Sequence, residues 1–306
     1  MNKTDEMLLE NILEDKPILE ADAYNIRKNG ESIDRKVNEY ISIISKQDNS
    51  GIDIYVKEGT PFGIINIPVI ITESGLKDVV YNDFHIGKGA KVVIIAGCGI
   101  HNDEHKLSEH DGIHRFYIAE NASVKYIEKH YADGKGKGKK VLNPVTEIYM
   151  ESNSSMVMDT VQIKGVDESL RITKAKLKDK ANLVVTEKIL TDGEQTAKTV
   201  FEVKLDGEDA KAKLTSRSVA IENSYQEFKS EVIGNTKCFA HVECDAIIKD
   251  EGKVKAIPEI QANTVNANLI HEATIGKIAG EQLTKLMTLG LNEKEAENTI
   301  IKGFLR

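Results

Sequence analysis

With 306 residues and a formal net charge of −8, the chain is long enough to bury a sizeable core and has the wrong overall sign for general nucleic-acid binding. Its longest apolar run, Gly63 to Thr72, is broken by Asn66 and Pro68 and falls short of the roughly 18 residues of a membrane span, while the polar start at Thr4, Asp5 and Glu6 is not that of a secretory signal. Three cysteines fit a reducing, cytoplasmic compartment better than a disulfide framework, and scarce aromatics with no tryptophan argue against a carbohydrate groove.

Taken in order, residues 4–15 predict a short helix, with Thr4 as N-cap, Asp5 and Glu6 in its first turn and Pro17 as its stop. A second helix is expected from Ser32, where Ile33, Val37, Tyr40, Ile41 and Ile44 recur at helical spacing. Together they make an N-terminal helical segment over 1–50 that packs on the body. The β region begins at Gly51–Val56 and Phe62–Thr72, and Pro68 suggests an edge or end coil there.

From residue 87 a phrase recurs, a polar turn followed by a small residue and then alternating apolar positions. Its anchors are Ala90, Ala122, Ser154, Ala181 and Ala210, spaced 32, 32, 27 and 29 residues apart. Closer copies follow around Thr236–Phe239, Glu251–Val254 and Asn266–Leu269. One strand phrase per fixed period is a solenoid signature, and no helical pattern separates the strands. The spacing predicts a β-solenoid over 51–275, with a β-sandwich as the competitor. The tail, 276–306, differs in kind. Glu281, Gln282, Leu283, Leu286 and Met287 suit a helix ending at Gly290, and Asn292 with Glu295 forms a capping box for a second helix bearing Ala296, Ile300, Ile301 and Phe304. So short a hairpin must pack on the body or on another protein.

Four groups of residues could carry chemistry. Cys238 and Cys244 are six apart, so in one strand they share a face and could offer thiolates to iron or zinc; the plainer reading is two small buried hydrophobes. His271 and Glu272 are adjacent, so a strand would send them to opposite faces, a core His beside a solvent-facing Glu. Cys98, His101, His105, His110 and His114 fall close together among acidic residues; they could form a transient iron or zinc site, although the spacing matches no zinc motif and Asn102 to Asp111 also reads as a solvated loop. Gly134 to Lys140 alternates Gly and Lys but lacks the arrangement of a phosphate loop, so it is read as a turn, and any nucleotide must be a partner's.

The wording of the C-terminal third carries a resemblance. "HEATIGKI" at 271–278 with the following "EQL", "CDAIIKDEGKVKAIPEIQA" at 244–262 and "LGLNEKEAENTIIKGF" at 289–304, with weaker similarity over 80–166 ("HDGIHRFYI", "VQIKGV"), resemble the SufB/SufD family of SUF-type iron–sulfur cluster assembly. The resemblance implies a right-handed β-helix core with a small N-terminal helical segment and a C-terminal helical hairpin. It implies a scaffold rather than an enzyme, one that builds a transient Fe–S cluster, [4Fe-4S] in type. The implied partner is a SufC-type ABC ATPase gripping Leu283, Leu286, Leu289, Ile300 and Phe304, in a homodimer carrying two ATPases. Ligands would come from Cys244, Glu272, His271 and Cys238, with Cys98 and His101 as further candidates. The family's usual loop cysteine falls at Gly252, and no cysteine between Cys98 and Cys238 corresponds to its sulfur-receiving thiol. Having both His271 and Glu272 is SufB-like. A SufD-like structural partner of the ATPase is the alternative, and a β-helical hydrolase or lyase on acidic polysaccharide is a third reading that the composition opposes.

Overall fold

The computed structural model describes residues 1–13, 20–48 and 50–306. A helix, α1 (Lys3–Leu13), precedes a long run of strands: β1 (Ala23–Lys28), β2 (Glu31–Lys36), β3 (Ile41–Ser45), β4 (Gly51–Val56), β5 (Gly63–Ile71), β6 (Lys77–Ile86), β7 (Lys91–His101), β8 (Ser108–Ile118), β9 (Ser123–Asp133), β10 (Lys140–Leu142) and β11 (Val145–Met150). The second half continues with β12 (Ser155–Lys164), β13 (Glu168–Leu177), β14 (Asn182–Thr191), β15 (Thr196–Leu205), β16 (Lys211–Ala220), β17 (Tyr225–Gly234), β18 (Cys238–Ile248), β19 (Lys253–Ala262) and β20 (Ala267–Gly276), then α2 (Gly280–Thr288) and α3 (Glu293–Phe304).

Alternate strands stack into two sheets, β2-β1-β5-β7-β9-β12-β14-β16-β18-β20 and β19-β17-β15-β13-β10-β8-β6-β4-β3, with β11 beside β8 and β13. From β4 and β5 onward every neighbour is parallel, giving a β-solenoid of about 8 turns. Each strand sends alternate side chains into the space between the sheets: along β6 and β14 every second residue is buried and the others are half-exposed. One core runs the length of the molecule, from Ile41 and Phe84 through Tyr126, Met158 and Phe201 to Val242 and Cys244.

The anchors of the sequence repeat are turn residues. The residue before each one, Gly89, Asn121, Asn153, Lys180 and Asp209, has φ between 55° and 66°. The anchor's own N–H then bonds the carbonyl three residues back, as Ala122 does to Ala119 and Ala181 to Lys178. Its side chain drops straight into the core, so only Ala or Ser fits. The left-handed step recurs at Glu222 and Asp250, on the other side of the coil.

Two expectations near the N-terminus are overturned: α1 is capped not by Thr4, which lies inside it, but by Asn2, whose side chain accepts from the Asp5 N–H at 2.9 Å, and no helix starts at Ser32. The predicted helix from Ser32 is instead the hairpin β1–β2 followed by β3. Asn29 (φ 47°) and Gly30 (φ 85°) make its two-residue turn, with Lys28 opposite Glu31. Asn38 accepts from the N–H groups of Tyr40 and Ile41 and turns the chain again. The helical spacing was accidental: of the five apolar residues only Ile41 is buried, and the other four are exposed. Pro68 lies inside β5, which is not an edge strand but does belong to the first parallel turn of the solenoid, the end-coil half of the expectation. The ladder between β1 and β5 joins Tyr24 to Asn66 and Arg27 to Val69 and skips the proline, whose missing N–H is thereby tolerated. The expected stop at Pro17 lies outside the described residues.

At the start of the coil α1 lies on the outer face of β7, where Gly97 and Gly99 carry no side chain. Ile12 and Leu8 occupy that space. At the far end the tail forms as expected. Asn292 caps α3 by accepting from the Glu295 N–H at 3.0 Å, while the Glu295 carboxylate accepts from the Asn292 N–H at 2.9 Å. Ile301, Phe304 and Leu305 then pack on an outer column of the solenoid, Leu190, Val219 and Ile247.

Candidate functional site

The interior is not uniformly apolar. One inward column of the first sheet reads Glu128, Thr160, Glu187, Ser216, Cys244 on successive rungs. Its neighbour begins Cys98, His130 and Gln162. The second sheet supplies Asp78, His110, His114 and Arg171 from the facing wall. All of these side chains are buried, so each charge needs a partner.

The partners are present. Arg27 makes a fork to Asp78, Nη2 to Oδ1 at 2.6 Å and Nε to Oδ2 at 2.9 Å, and His110 Nδ1 meets the same Oδ2 at 3.1 Å. Burial opposes ionisation of Asp78, but these donors hold its carboxyl far below the usual range. Arg171 sits between two carboxylates, pairing with Glu128 and lying 3.5 Å from Glu187. Burial again works against both acids. Arg171 and His130 overcome it at Glu128, whose pKa is held well down. At Glu187 burial prevails and the pKa rises, despite donation from Thr199 and Ser216 at 2.9 and 3.0 Å. Tyr126 donates to Glu128 at 3.0 Å and is itself 2.7 Å from His114 Nδ1. Burial pushes His114 down to about 4 and lowers His130 as well, so both imidazoles are neutral near pH 7.

The sequence reading placed His110 in a solvated loop. Only 102–107 is a loop; β8 begins at Ser108 and turns His110 and His114 inward. His101 ends β7 with both ring nitrogens on carboxylates, Asp133 at 2.7 Å and Asp103 at 3.0 Å, and His105 is exposed. The Gly-Lys run is a turn laid on that loop: Gly136 and Gly138 donate to Asn102 and Glu104, and a Cβ at Gly134, Gly136 or Gly138 would strike its backbone. Arg27, Asp78, Tyr126, Glu128, His130, Arg171 and Glu187 escaped the sequence reading. Their signal was Glu128 and His130 two residues apart in an otherwise apolar inward row.

The C-terminal candidates sit on the last two rungs of the first sheet. Cys238 and Cys244 share the inner face of β18, as their spacing required, and both thiols are buried. Burial, then Glu187 and Asp245, push the Cys244 thiol to about 12. On β20, His271 lies opposite Val242 and so shares that inner face, and Glu272 lies opposite Glu243 on the outer one, 3.4 Å from His241. Adjacent strand residues do diverge. Cys244 and Glu272 therefore do not converge within one chain, and among the described residues no three His, Cys, Asp or Glu side chains gather as a metal site. The last rung is open: the carboxylate of Glu272 is 66% exposed, and most of β19 and β20 is exposed along with it. Yet Nε2 of His271 is buried and has no hydrogen-bond partner. Gly252 closes a tight turn in which a Cβ would meet Ala220 O at 2.5 Å, so a cysteine there would need a different backbone.

On the tail, α2 buries none of its residues. Leu283 and Leu286 are half-buried and Leu289 is 78% exposed, whereas Ile300 is half-buried and Phe304 packs toward the solenoid. No helix among the described residues is long and apolar enough to cross a membrane.

Comparison with known proteins agrees with this architecture. An iron–sulfur cluster assembly SufBD family protein of Methanocaldococcus jannaschii is 27% identical over 285 residues, 92% of this chain and 89% of that protein. Similar proteins of the same description occur in Archaeoglobus fulgidus, 26% identical over 84% of this chain and 69% of the relative, and in Pyrococcus horikoshii, 27% identical over 80% and 74%. The family description "SUF system FeS cluster assembly, SufBD core domain" matches residues 84–304, from β6 to the end of α3. The chain belongs to the SufBD family of SUF-type iron–sulfur cluster assembly proteins.

Proposed function

We propose that the chain is the scaffold on which an iron–sulfur cluster is assembled, working with an ABC ATPase that supplies the ATP hydrolysis. The cluster is cargo, and the chain contributes ligands and a docking surface rather than turnover. The observation that carries this reading is the open last rung. Nε2 of His271 is buried without a partner and shares an inner face with Cys244, while Glu272 waits on the outer face of the same strand.

The donor set fits iron in kind, an imidazole, a carboxylate and a thiol, but one chain does not bring the three together. A second copy laid against the open rung would supply the missing side, so the assembly is a homodimer, with one ATPase on each exposed α2 through Leu283, Leu286 and Leu289. The high pKa of Cys244 means that iron must displace its proton. The absence of a thiol at Gly252 favours a second reading, a SufD-like chain that binds the ATPase without a cluster of its own.

The test is anaerobic reconstitution with iron and sulfide, read by absorbance and Mössbauer spectra, on wild type, Cys244→Ser and His271→Ala. A cluster lost in both variants supports the scaffold. A cluster retained in both moves the ligands elsewhere. No cluster from wild type, with an ABC ATPase co-purifying, supports the SufD-like reading.

A further inference from the structure

Between β7 and β9 on one wall and β8 on the other lies a cavity of about 10 Å³, room for one water-sized occupant. Cys98, His110, Gly112, His114, Glu128 and His130 are among its lining residues. His110, Gly112 and His114 are alternate residues of β8, so all three point inward, and the glycine leaves a gap between two imidazoles. A Cβ built on Gly112 would stand 3.1 Å from His114 Nε2 and 3.3 Å from His110 Nε2. Both nitrogens therefore face one point.

Their partners fix the tautomers. Nδ1 of His110 meets the Asp78 carboxylate, which can only accept, so that nitrogen carries the proton. Tyr126 gives its hydroxyl proton to Glu128, so its oxygen accepts from Nδ1 of His114. Nε2 of each ring borders the gap, and at His114 it also meets Nδ2 of Asn82 at 3.4 Å, a long contact that an ion would displace. A histidine whose far nitrogen donates toward a carboxylate, directly or through one hydroxyl, is the arrangement that orients metal-binding imidazoles. Cys98, on the facing wall, is the one thiol lining the same cavity. The buried charges lean the same way: Arg27 and Arg171 face Asp78, Glu128 and Glu187.

We infer that His110 and His114, with Cys98 closing from the facing wall, form a buried site for one divalent transition ion of the zinc or ferrous class. The imidazoles are the preset half. As they stand the three side chains do not gather as a metal site, so on binding Cys98 must move onto the ion; a metal–sulfur bond then forms and the thiol proton leaves to solvent. Glu128 stays with Arg171 and Tyr126 as an outer-shell group. The site is separate from the last rung, so loss of either reading leaves the other standing.

The test is anaerobic titration of the metal-stripped full chain with Co²⁺, following d–d absorption and thiolate-to-cobalt charge transfer. One equivalent should bind with both signals. Cys98→Ser should lose the charge-transfer band. Gly112→Ala, whose methyl group fills the gap, should weaken binding more than about tenfold with circular dichroism and melting unchanged. Tyr126→Phe, which frees Nδ1 of His114, should weaken it by roughly 10–100-fold. His101→Ala should change nothing. No bound cobalt, a charge-transfer band that survives Cys98→Ser, or one that disappears with Cys244→Ser, would overturn the assignment.

Discussion

The two ends of the solenoid solve the same problem in opposite ways. At the start, α1 covers the outside of β7, the β1–β2 hairpin extends the sheet, and the interior is filled by paired charges. At the finish, β19 and β20 leave a rung whose inner and outer faces are both largely uncovered. A parallel strand is stable when both its neighbours and its faces are satisfied, so the first turns are complete in one chain and the last is not. The apolar and polar groups left over at the last rung, Ile270, Ile275 and His271 among them, are the ones an added surface would use.

Substitutions can sharpen or break this contrast. The largest effect is expected inside the closed half: Arg171→Met strands Glu128 and Glu187 without a cation and should destabilise the chain by about 3–5 kcal/mol in urea unfolding. Leu8→Ala, at the seat of α1 on Gly99, should follow at about 3 kcal/mol, because a cavity opens where the helix now fills the glycine notch. If it behaved like a surface change, α1 would not be part of the closure.

Glu187→Gln tests the sign of the buried charge. The pKa of Glu187 is raised in the folded chain, so its favourable contribution is complete below the unfolded value and fades as pH rises through the folded one. Glutamine never ionises, and Arg171 keeps Glu128. The variant should therefore melt higher than wild type at pH 8, and the gain should shrink toward pH 4. The smallest effect is expected at the open end. Ile270→Ala should change the stability of the isolated chain by less than about 0.5 kcal/mol. The same change should weaken self-association in sedimentation if a second copy covers that rung, and a full core-like loss in the isolated chain would show that the rung is already closed.

Much of the coil was legible. Ala90, Ala122, Ser154, Ala181 and Ala210 stand out because a left-handed turn must be followed by a side chain small enough to enter the core, and that local rule repeats wherever the coil does. The opposite facing of His271 and Glu272 followed from strand alternation alone. The stretch from Ser32 misled because five apolar residues matched a helical period, while the two residues that decided the matter, Asn29 and Gly30, lay just upstream. The interior network was hidden for another reason. Glu128 and Glu187 meet Arg171 only through rung-to-rung register, which no local pattern records. The His-rich stretch looked like a loop because its charged residues, Glu109 and Asp111, are the outward half of a strand whose inward half is His110 and His114.

The C-terminal hairpin has a consequence for how the molecule opens. Ile301, Phe304 and Leu305 lie across Leu190, Val219 and Ile247, one residue from each of β14, β16 and β18, and Lys249 is tied to Glu297 at 2.6 Å. In a coil whose rungs touch only their neighbours, opening would otherwise fray one strand at a time from the free end. The clasp joins three rungs into one cooperative unit, so amide hydrogens on β14, β16 and β18 should exchange with a shared opening free energy. Those of β20, beyond the clasp, should exchange first and independently, leaving the terminal strand free to rearrange while the body behind it stays folded.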